Sequence, residues 1–258
     1  IMEWYEHYNG LVYVAFSGGK DSTVLLDLVR RIYPDVPAVF CDTGLEFPEI
    51  RQFAMSVNNV VVLRPEMNFK KVIETYGYPI VSKRVADTVE YGHKPGSFRW
   101  KELHGEIIRS NGTKSEFNCE KWCYLLDAPF KVSSRCCNIM KKKPMKKYSK
   151  ETGRVPIIAT MADESRSRRS VWMSTGCNAF QKKSPSSQPM SFWTENDVLE
   201  YIHTYNIPYA SVYGDIVPCG GGGQRQAKKE PGVCFALLAL IWRSLQTVFS
   251  GSNSLIQS

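Results

Sequence analysis

The apolar run Leu11-Val12-Tyr13-Val14-Ala15-Phe16 ends in Ser17-Gly18-Gly19-Lys20-Asp21-Ser22 and passes straight into Thr23-Val24-Leu25-Leu26-Asp27-Leu28-Val29. A strand therefore runs through a glycine turn into a helix, a succession that commits the chain to an α/β arrangement. It is also the build of a phosphate cradle. Two adjacent glycines let backbone N–H groups close on an anion, the helix start adds its dipole, and Lys20 adds a full charge. The order differs from the Walker pattern, which requires GxxxxGK[ST]. An ordinary Gly-Gly turn with a surface lysine is the plain alternative.

At 258 residues the chain can bury one sizeable core, and one α/β domain with an appendage is expected. Hydrophobic content of 43% and charged content of 22% are those of a soluble globular chain. The longest apolar run, Val233 to Trp242, is about half the ~20 residues a membrane helix needs, so no membrane association is expected. No secretory leader is visible and a cytoplasmic location is expected, although the chain opens on Ile1-Met2-Glu3 as a fragment would. The formal charge is +8, of which Arg225, Lys228, Lys229 and Arg243 against Glu230 supply three. The remaining excess suits nucleotide phosphates, a nucleic acid, or a solvated basic face with no partner. Eight cysteines are spread over a chain too large to depend on disulfides, which favours reduced thiols or metal ligation.

Strands alternating with helices through the first half predict a parallel sheet with right-handed crossovers. Val36–Cys41 reads as the second strand, Pro48–Val57 as a helix, Val60–Leu63 as the third strand and Phe69–Tyr76 as a further helix. Val155–Met161 reads as a returning strand. Thr194–Tyr205 reads as an amphipathic helix capped by Thr194 with Asp197 and burying Val198, Leu199 and Ile202. Between these pieces, Ser82–Lys150 is rich in Lys, Gly, Ser and aromatics without a clear period. It is expected to be an inserted helical or irregular segment of a domain spanning residues 1–217. After Pro218 come a glycine run, a short apolar stretch and a Ser-rich end, expected to form a poorly ordered tail over residues 218–258.

Four clusters carry chemistry. Cys41-Asp42-Thr43-Gly44-Leu45-Glu46-Phe47-Pro48-Glu49 follows the second strand, where open α/β sheets bind ligands, so Asp42 and Thr43 are candidates to face the same nucleotide as Lys20. A polar strand-to-helix loop is the alternative. Asp163-Glu164-Ser165-Arg166-Ser167-Arg168-Arg169 follows another strand end and sets three arginines, whose forked guanidinium groups suit phosphate or sulfate, beside two carboxylates. Local ion pairs lacing a helix start would look the same. Cys136-Cys137 lies among Lys131, Arg135 and Lys141 to Lys143, cations that stabilise thiolates, and adjacent thiols can ligate an iron–sulfur cluster or be buried and inert. Cys119-x-x-x-Cys123 is loosely spaced for zinc and has no histidine signature, and Cys177 reads equally as a reactive or a packed thiol.

The Ser17–Ser22 loop resembles that of the N-type ATP pyrophosphatases, which cleave ATP between the α and β phosphates. The longer series is similar to the phosphoadenosine phosphosulfate (PAPS) reductase family of the adenine nucleotide α-hydrolase superfamily. It comprises Ser17 to Ser22, Asp42-Thr43-Gly44 through Phe47-Pro48-Glu49, Cys136-Cys137, Glu164-Ser165-Arg166, and Phe192-Trp193-Thr194-Glu195-Asn196-Asp197-Val198 with Ile207-Pro208-Tyr209. The pieces keep the family's order over most of residues 10–215. The resemblance implies a Rossmann-like parallel sheet with helices on both faces and an adenine nucleotide at the strand ends. Phe16 and Asp42 would lie beside adenine and ribose. Ser17, Gly18, Gly19, Lys20, Asp21 and Ser22 would hold the phosphates, with Mg2+ near Asp21, and Thr43, Gly44 and Glu164 would complete the site. Lys20, Asp21, Arg166 and Arg168 would carry catalysis, the arginines steadying an acceptor anion.

Many reductases of the family carry a degraded loop, because their substrate is already activated. The intact loop here points to ATP, so the expected reaction is cleavage of ATP to AMP and pyrophosphate in a sulfur transfer to a nucleic-acid or protein acceptor. Two rivals stand beside it: an adenylyl-sulfate or phosphoadenylyl-sulfate reductase releasing sulfite, and a non-catalytic nucleotide- or nucleic-acid-binding accessory using the basic stretch Lys131 to Lys150. In cluster-bearing members a pair like Cys136-Cys137 joins a later CxxC to hold a 4Fe-4S cluster, and this chain lacks that CxxC. Reverse-translating Glu230 to Gln257 and reading from the third base of each codon permits TGCMFCxxGAHLEKPANRFQRLKQLDP, which resembles the family's carboxyl end, CxxC included. A frameshift near Pro218 to Gln224 is therefore expected, and with it an incomplete set of cluster ligands. The oligomeric state is not fixed by the sequence.

Overall fold

The apolar strand, the glycine turn and the amphipathic helix that open the sequence fold in that order in the computed structural model, which describes residues 1–219 and 223–226. Residues 1–64 and the described residues from 144 onward make one compact unit; Pro65–Lys143 make another.

The first unit contains α1 (Met2–His7), β1 (Val12–Phe16), α2 (Lys20–Ile32), β2 (Ala38–Cys41), α3 (Pro48–Ser56) and β3 (Val60–Leu63). In the second, α4 (Phe69–Tyr76), α5 (Lys83–Tyr91) and α6 (Phe98–Leu103) are followed by a 3-10 segment, Glu120–Asp127, and a π-helical turn, Asn138–Lys142. The first unit is completed by α7 (Lys143–Thr152), β4 (Val155–Ile158), α8 (Arg166–Thr175), β5 (Asn178–Ala179), β6 (Ser186–Ser187), α9 (Glu195–Tyr205), and a hairpin of β7 (Ile216–Cys219) with β8 (Gly223–Gln226).

Six strands form one sheet in the order β3-β2-β1-β4-β6-β5, parallel except for the β5–β6 pair. Val14 of β1 lies beside Ala38 of β2 on one side and Ile157 of β4 on the other. β1 is apolar at every position because both of its faces are covered. Val12, Val14 and Phe16 pack with Val24, Leu25 and Val29 of α2. From the opposite face Tyr13 meets Tyr148 of α7 edge-on at 5.2 Å and bonds Ser149 at 3.1 Å. Helices therefore lie on both faces. The sequence order reverses between β1 and β4, which makes the carboxyl edge of that pair the topological switch point where open sheets bind ligands.

Two strands are shorter than their apolar runs. β2 starts at Ala38 because Val36 donates its N–H back to Tyr33 and Pro37 has none to donate. β4 stops at Ile158, where the N–H of Thr160 turns back to the Ile158 carbonyl. The boundary moves Met161 out of the strand and into a loop at the sheet edge. Thr194 and Asp197 form the reciprocal cap of α9, and Val198, Leu199 and Ile202 are buried, as the spacing required.

The second unit is held by short capped helices. Asn68, Ser82 and Ser97 each accept a backbone N–H in the first turn of α4, α5 and α6. Val72, Val85, Ala86, Val89 and Leu103 fill its interior, where Glu102 is fully buried and is satisfied by Arg84, Arg99 at 2.7 Å and Thr88 at 3.1 Å. No helix among the described residues is long and apolar enough to cross a membrane. The expected tail falls largely on residues 220–222 and 227–258, outside the described residues.

Candidate functional site

Ser17–Gly19 leaves the carboxyl end of β1 in a turn that only small residues can make. Gly18 has φ +73°, and a Cβ there would meet the Ile50 carbonyl oxygen at 3.0 Å and its Cγ2 at 2.9 Å. A Cβ on Gly19 would meet the Tyr213 hydroxyl at 3.1 Å. The turn is tied by its own serines: Ser22 Oγ donates to the Gly19 carbonyl at 2.9 Å and accepts from the Ser17 N–H at 3.2 Å. Gly19 is the N-cap of α2, and among the described residues no side chain caps that helix. The N–H groups of a helix start without a side-chain cap can take an external anion.

Lys20 is the first residue of α2 and only 3% exposed. Its Nζ lies 3.2 Å from Asp21 Oδ1 and 3.6 Å from Glu195 Oε1. The three residues line a cavity of about 230 Å³ together with Met161, Asp163 and Glu164. The cavity thus joins the loop after β1 to the loop after β4, across the switch point. Glu164 accepts the Met161 N–H at 3.0 Å and pairs with Arg168, while Asp163 takes Arg169 at 3.4 Å.

The residues singled out in the sequence divide into groups. Lys20, Asp21 and Glu164 share the cavity; Ser17, Gly18, Gly19 and Ser22 shape its loop; Phe16 is buried beneath, against Phe53. Arg166 and Arg168 are exposed on α8 and do not line it. Asp42, Thr43 and Gly44 follow β2 and do not line it either. Arg51 holds the Asp42 carboxylate at 3.1 Å, and that hydrogen bond raises the pKa of the guanidinium. Thr43 donates to Glu46 through both its N–H, at 3.0 Å, and its hydroxyl, at 2.8 Å. Met161, Asp163 and Glu195 were not picked out from the sequence as ligand contacts. Glu195 had a signal, since the Thr194–Asp197 cap fixes it in the first turn of a helix.

Cys136 and Cys137 belong to the second unit. The Cys136 thiol hydrogen-bonds that of Cys137, and with Lys83, Lys141 and Lys142 nearby it outweighs burial and lowers the Cys137 pKa to about 6; the same hydrogen bond raises that of Cys136. A four-iron cluster takes four thiolates. Among the described residues no group of three His, Cys, Asp or Glu could hold a metal, so this pair does not make a cluster site by itself.

Fold and site together define a mostly parallel α/β protein with a lysine-bearing glycine loop at its switch point. The sequence profile of the phosphoadenosine phosphosulfate reductase domain matches residues 11–89 and 109–218. The chain is 26% identical over 212 residues to adenosine 5'-phosphosulfate reductase of Geobacillus kaustophilus, covering 81% of this chain and 70% of that one. It is 24% identical over 230 residues to adenosine 5'-phosphosulfate reductase 2 of Bacillus subtilis, covering 86% and 75%. The solved structure of phosphoadenylyl-sulfate (PAPS) reductase from Candida auris, a phosphate complex, aligns over 82% of each chain with 15% identity and a TM-score of 0.43. The chain belongs to the phosphoadenosine phosphosulfate reductase family.

Proposed function

We propose that this chain is a reductase of adenylyl sulfate or its 3'-phosphorylated form, binding the 5'-phosphate of the nucleotide on the Ser17–Ser22 loop and releasing sulfite. The observation that carries the reading is the buried Lys20 ammonium in a cavity beside an uncapped helix start. The adenylyl-sulfate reductase relatives over most of the chain support this substrate class. A thiolate attacks the sulfur of the substrate, the bond from sulfur to the AMP oxygen breaks, and AMP leaves as the sulfonate joins the thiol. A second thiol attacks that first sulfur, forms a disulfide and frees sulfite, so two thiols supply the two electrons. Negative charge grows on the departing phosphate. Lys20 and the loop amides meet it there, where a fixed donor lowers the barrier most. Thiol chemistry needs a reducing compartment, and we assign the reaction to the cytoplasm.

A second reading, cleavage of Mg2+-loaded ATP to AMP and pyrophosphate in a sulfur transfer, draws support from the acidic lining of the same cavity. Mg2+ on a polyphosphate needs only one or two carboxylates, which Asp21 and Glu164 would offer. Arg166 and Arg168 would then meet the acceptor, a nucleic acid or a protein. One paired assay separates the readings: sulfite from adenylyl sulfate with an added dithiol, against pyrophosphate from ATP. Sulfite without pyrophosphate is the expected result; pyrophosphate alone overturns the reductase in favour of the second reading.

A further inference from the structure

Resting on that reading, one acidic residue of the nucleotide cavity has a part the reaction leaves unassigned. Glu195 reaches Lys20 from the first turn of α9, with Oε1 3.6 Å from Nζ. The pair is lopsided, since the lysine side chain is 3% exposed and the glutamate 62%. Packing fixes the ammonium, whereas the carboxylate comes to it from the solvent side.

Two helix starts meet in this cavity, because Lys20 is the first residue of α2 and Glu195 the first of α9. Both helix dipoles and the ammonium favour an anion there. Glu195 is not needed to begin its own helix: the Thr194 hydroxyl accepts the Asp197 N–H at 3.3 Å, and the Asp197 carboxylate accepts the Thr194 N–H at 2.7 Å. Nor is it tied to the neighbouring arginines, which pair with Asp163 and Glu164.

We propose that Glu195 is a built-in competitor for Lys20, a specificity-determining residue that stands where the substrate phosphate binds and moves into solvent when the phosphate arrives. Binding then exchanges one anion for another on the solvent side of the ammonium, while Asp21, 3.2 Å from Nζ, stays beside it. A ligand that brings two charges to the loop, as AMP does on its phosphate and adenylyl sulfate does across its phosphate and sulfate, displaces the carboxylate, and one that brings a single charge gains little by doing so.

Calorimetric titration of the purified chain with AMP, without metal and at fixed low salt, tests this. Glu195→Gln keeps shape and removes charge; it is expected to bind AMP roughly two- to fivefold more tightly, the span an exposed ion pair is worth. Glu195→Ala should move the same way and stands in if the first variant misfolds, with circular dichroism as the check. Glu200→Gln, elsewhere on α9 and outside the cavity lining, should leave the affinity unchanged. A merely structural Glu195 would weaken binding when replaced. Equal or weaker AMP binding by both Glu195 variants overturns the competitor role and leaves the proposed function standing; an unsubstituted chain that binds no AMP overturns both.

Discussion

The glycine loop and the paired cysteines are the two chemically loaded regions of this chain, and they are built on opposite plans. From Ser17 to Thr23 almost every constraint is local: the turn, its serine hydrogen bonds and the lysine all come from seven consecutive residues. Its acidic surroundings arrive from afar, as do Ile50 and Tyr213, which crowd the two glycines. Cys136 and Cys137 are adjacent, and the hydrogen bond between their thiols does most to lower the Cys137 pKa, yet Lys83, which is distant in sequence, adds to it, and among the described residues no further donor joins the pair in a metal-holding group. A site encoded in one continuous stretch is complete once that stretch folds; a site assembled from scattered donors is complete only when each of them is in place.

The contrast is broken or sharpened by substitutions, of which Lys20→Ala has the largest expected effect. It should reduce sulfite release from adenylyl sulfate by at least about a hundredfold, the cost of removing a fixed donor from developing charge. Turnover of that variant at the original rate would mean that the loop is only a turn. Next comes Gly18→Ala, which places a Cβ against Ile50 at a positive φ. Urea unfolding should show a loss of about 1–3 kcal/mol, with nucleotide affinity falling alongside.

In the second unit, Glu102→Gln leaves Arg84 and Arg99 without their buried counter-charge. Both arginines reach solvent, at 41% and 36% exposure, so the expected loss is about 1–3 kcal/mol, below that of a fully buried pair. Burial alone would raise the Glu102 pKa; hydrogen bonds from Arg99, Arg84 and Thr88 overcome it and leave the value lowered. The sign follows: this stabilisation is complete above the ordinary glutamate pKa and is lost as pH falls through the lowered folded-state value. Unfolding followed at neutral pH and at successively lower pH should show the Gln variant converging on the unsubstituted chain in acid.

The smallest effect belongs to the cysteines. Alkylation of Cys137 should rise through pH about 6 rather than near an ordinary thiol pKa. Cys136→Ala should raise that midpoint most, by removing the hydrogen bond, and Lys83→Ala should raise it less. A midpoint unmoved by either change would show that the pair does not depend on its neighbours and erase the contrast with the loop.

Where a pattern was short in range, it was legible without coordinates. The alternation of strand and helix from Val12 to Tyr76, the cap at Thr194 and the buried stripe of α9 all rest on contacts a few residues apart, and each lies where its residues indicated. The third strand, Val60–Leu63, and the helix Phe69–Tyr76 match to the residue. Less visible were α1, α8 and the two-residue strands β5 and β6. α8 buries none of its side chains and so shows no apolar face, and two residues are too few to display a period.

For the candidate site the division has the same cause. Residues 17–22 determined a turn, a positive φ and a lysine at a helix start, because backbone sterics and neighbouring hydroxyls act within the stretch itself. Only the tertiary structure decided that β4 lies beside β1, which set Met161 and Asp163 with Glu164 at the edge of the cavity, and that α9 packs beside α2, which set Glu195 facing Lys20. Contacts between residues more than a hundred positions apart have no local signature; they exist because burying two apolar sheet faces brings the ends of those strands together.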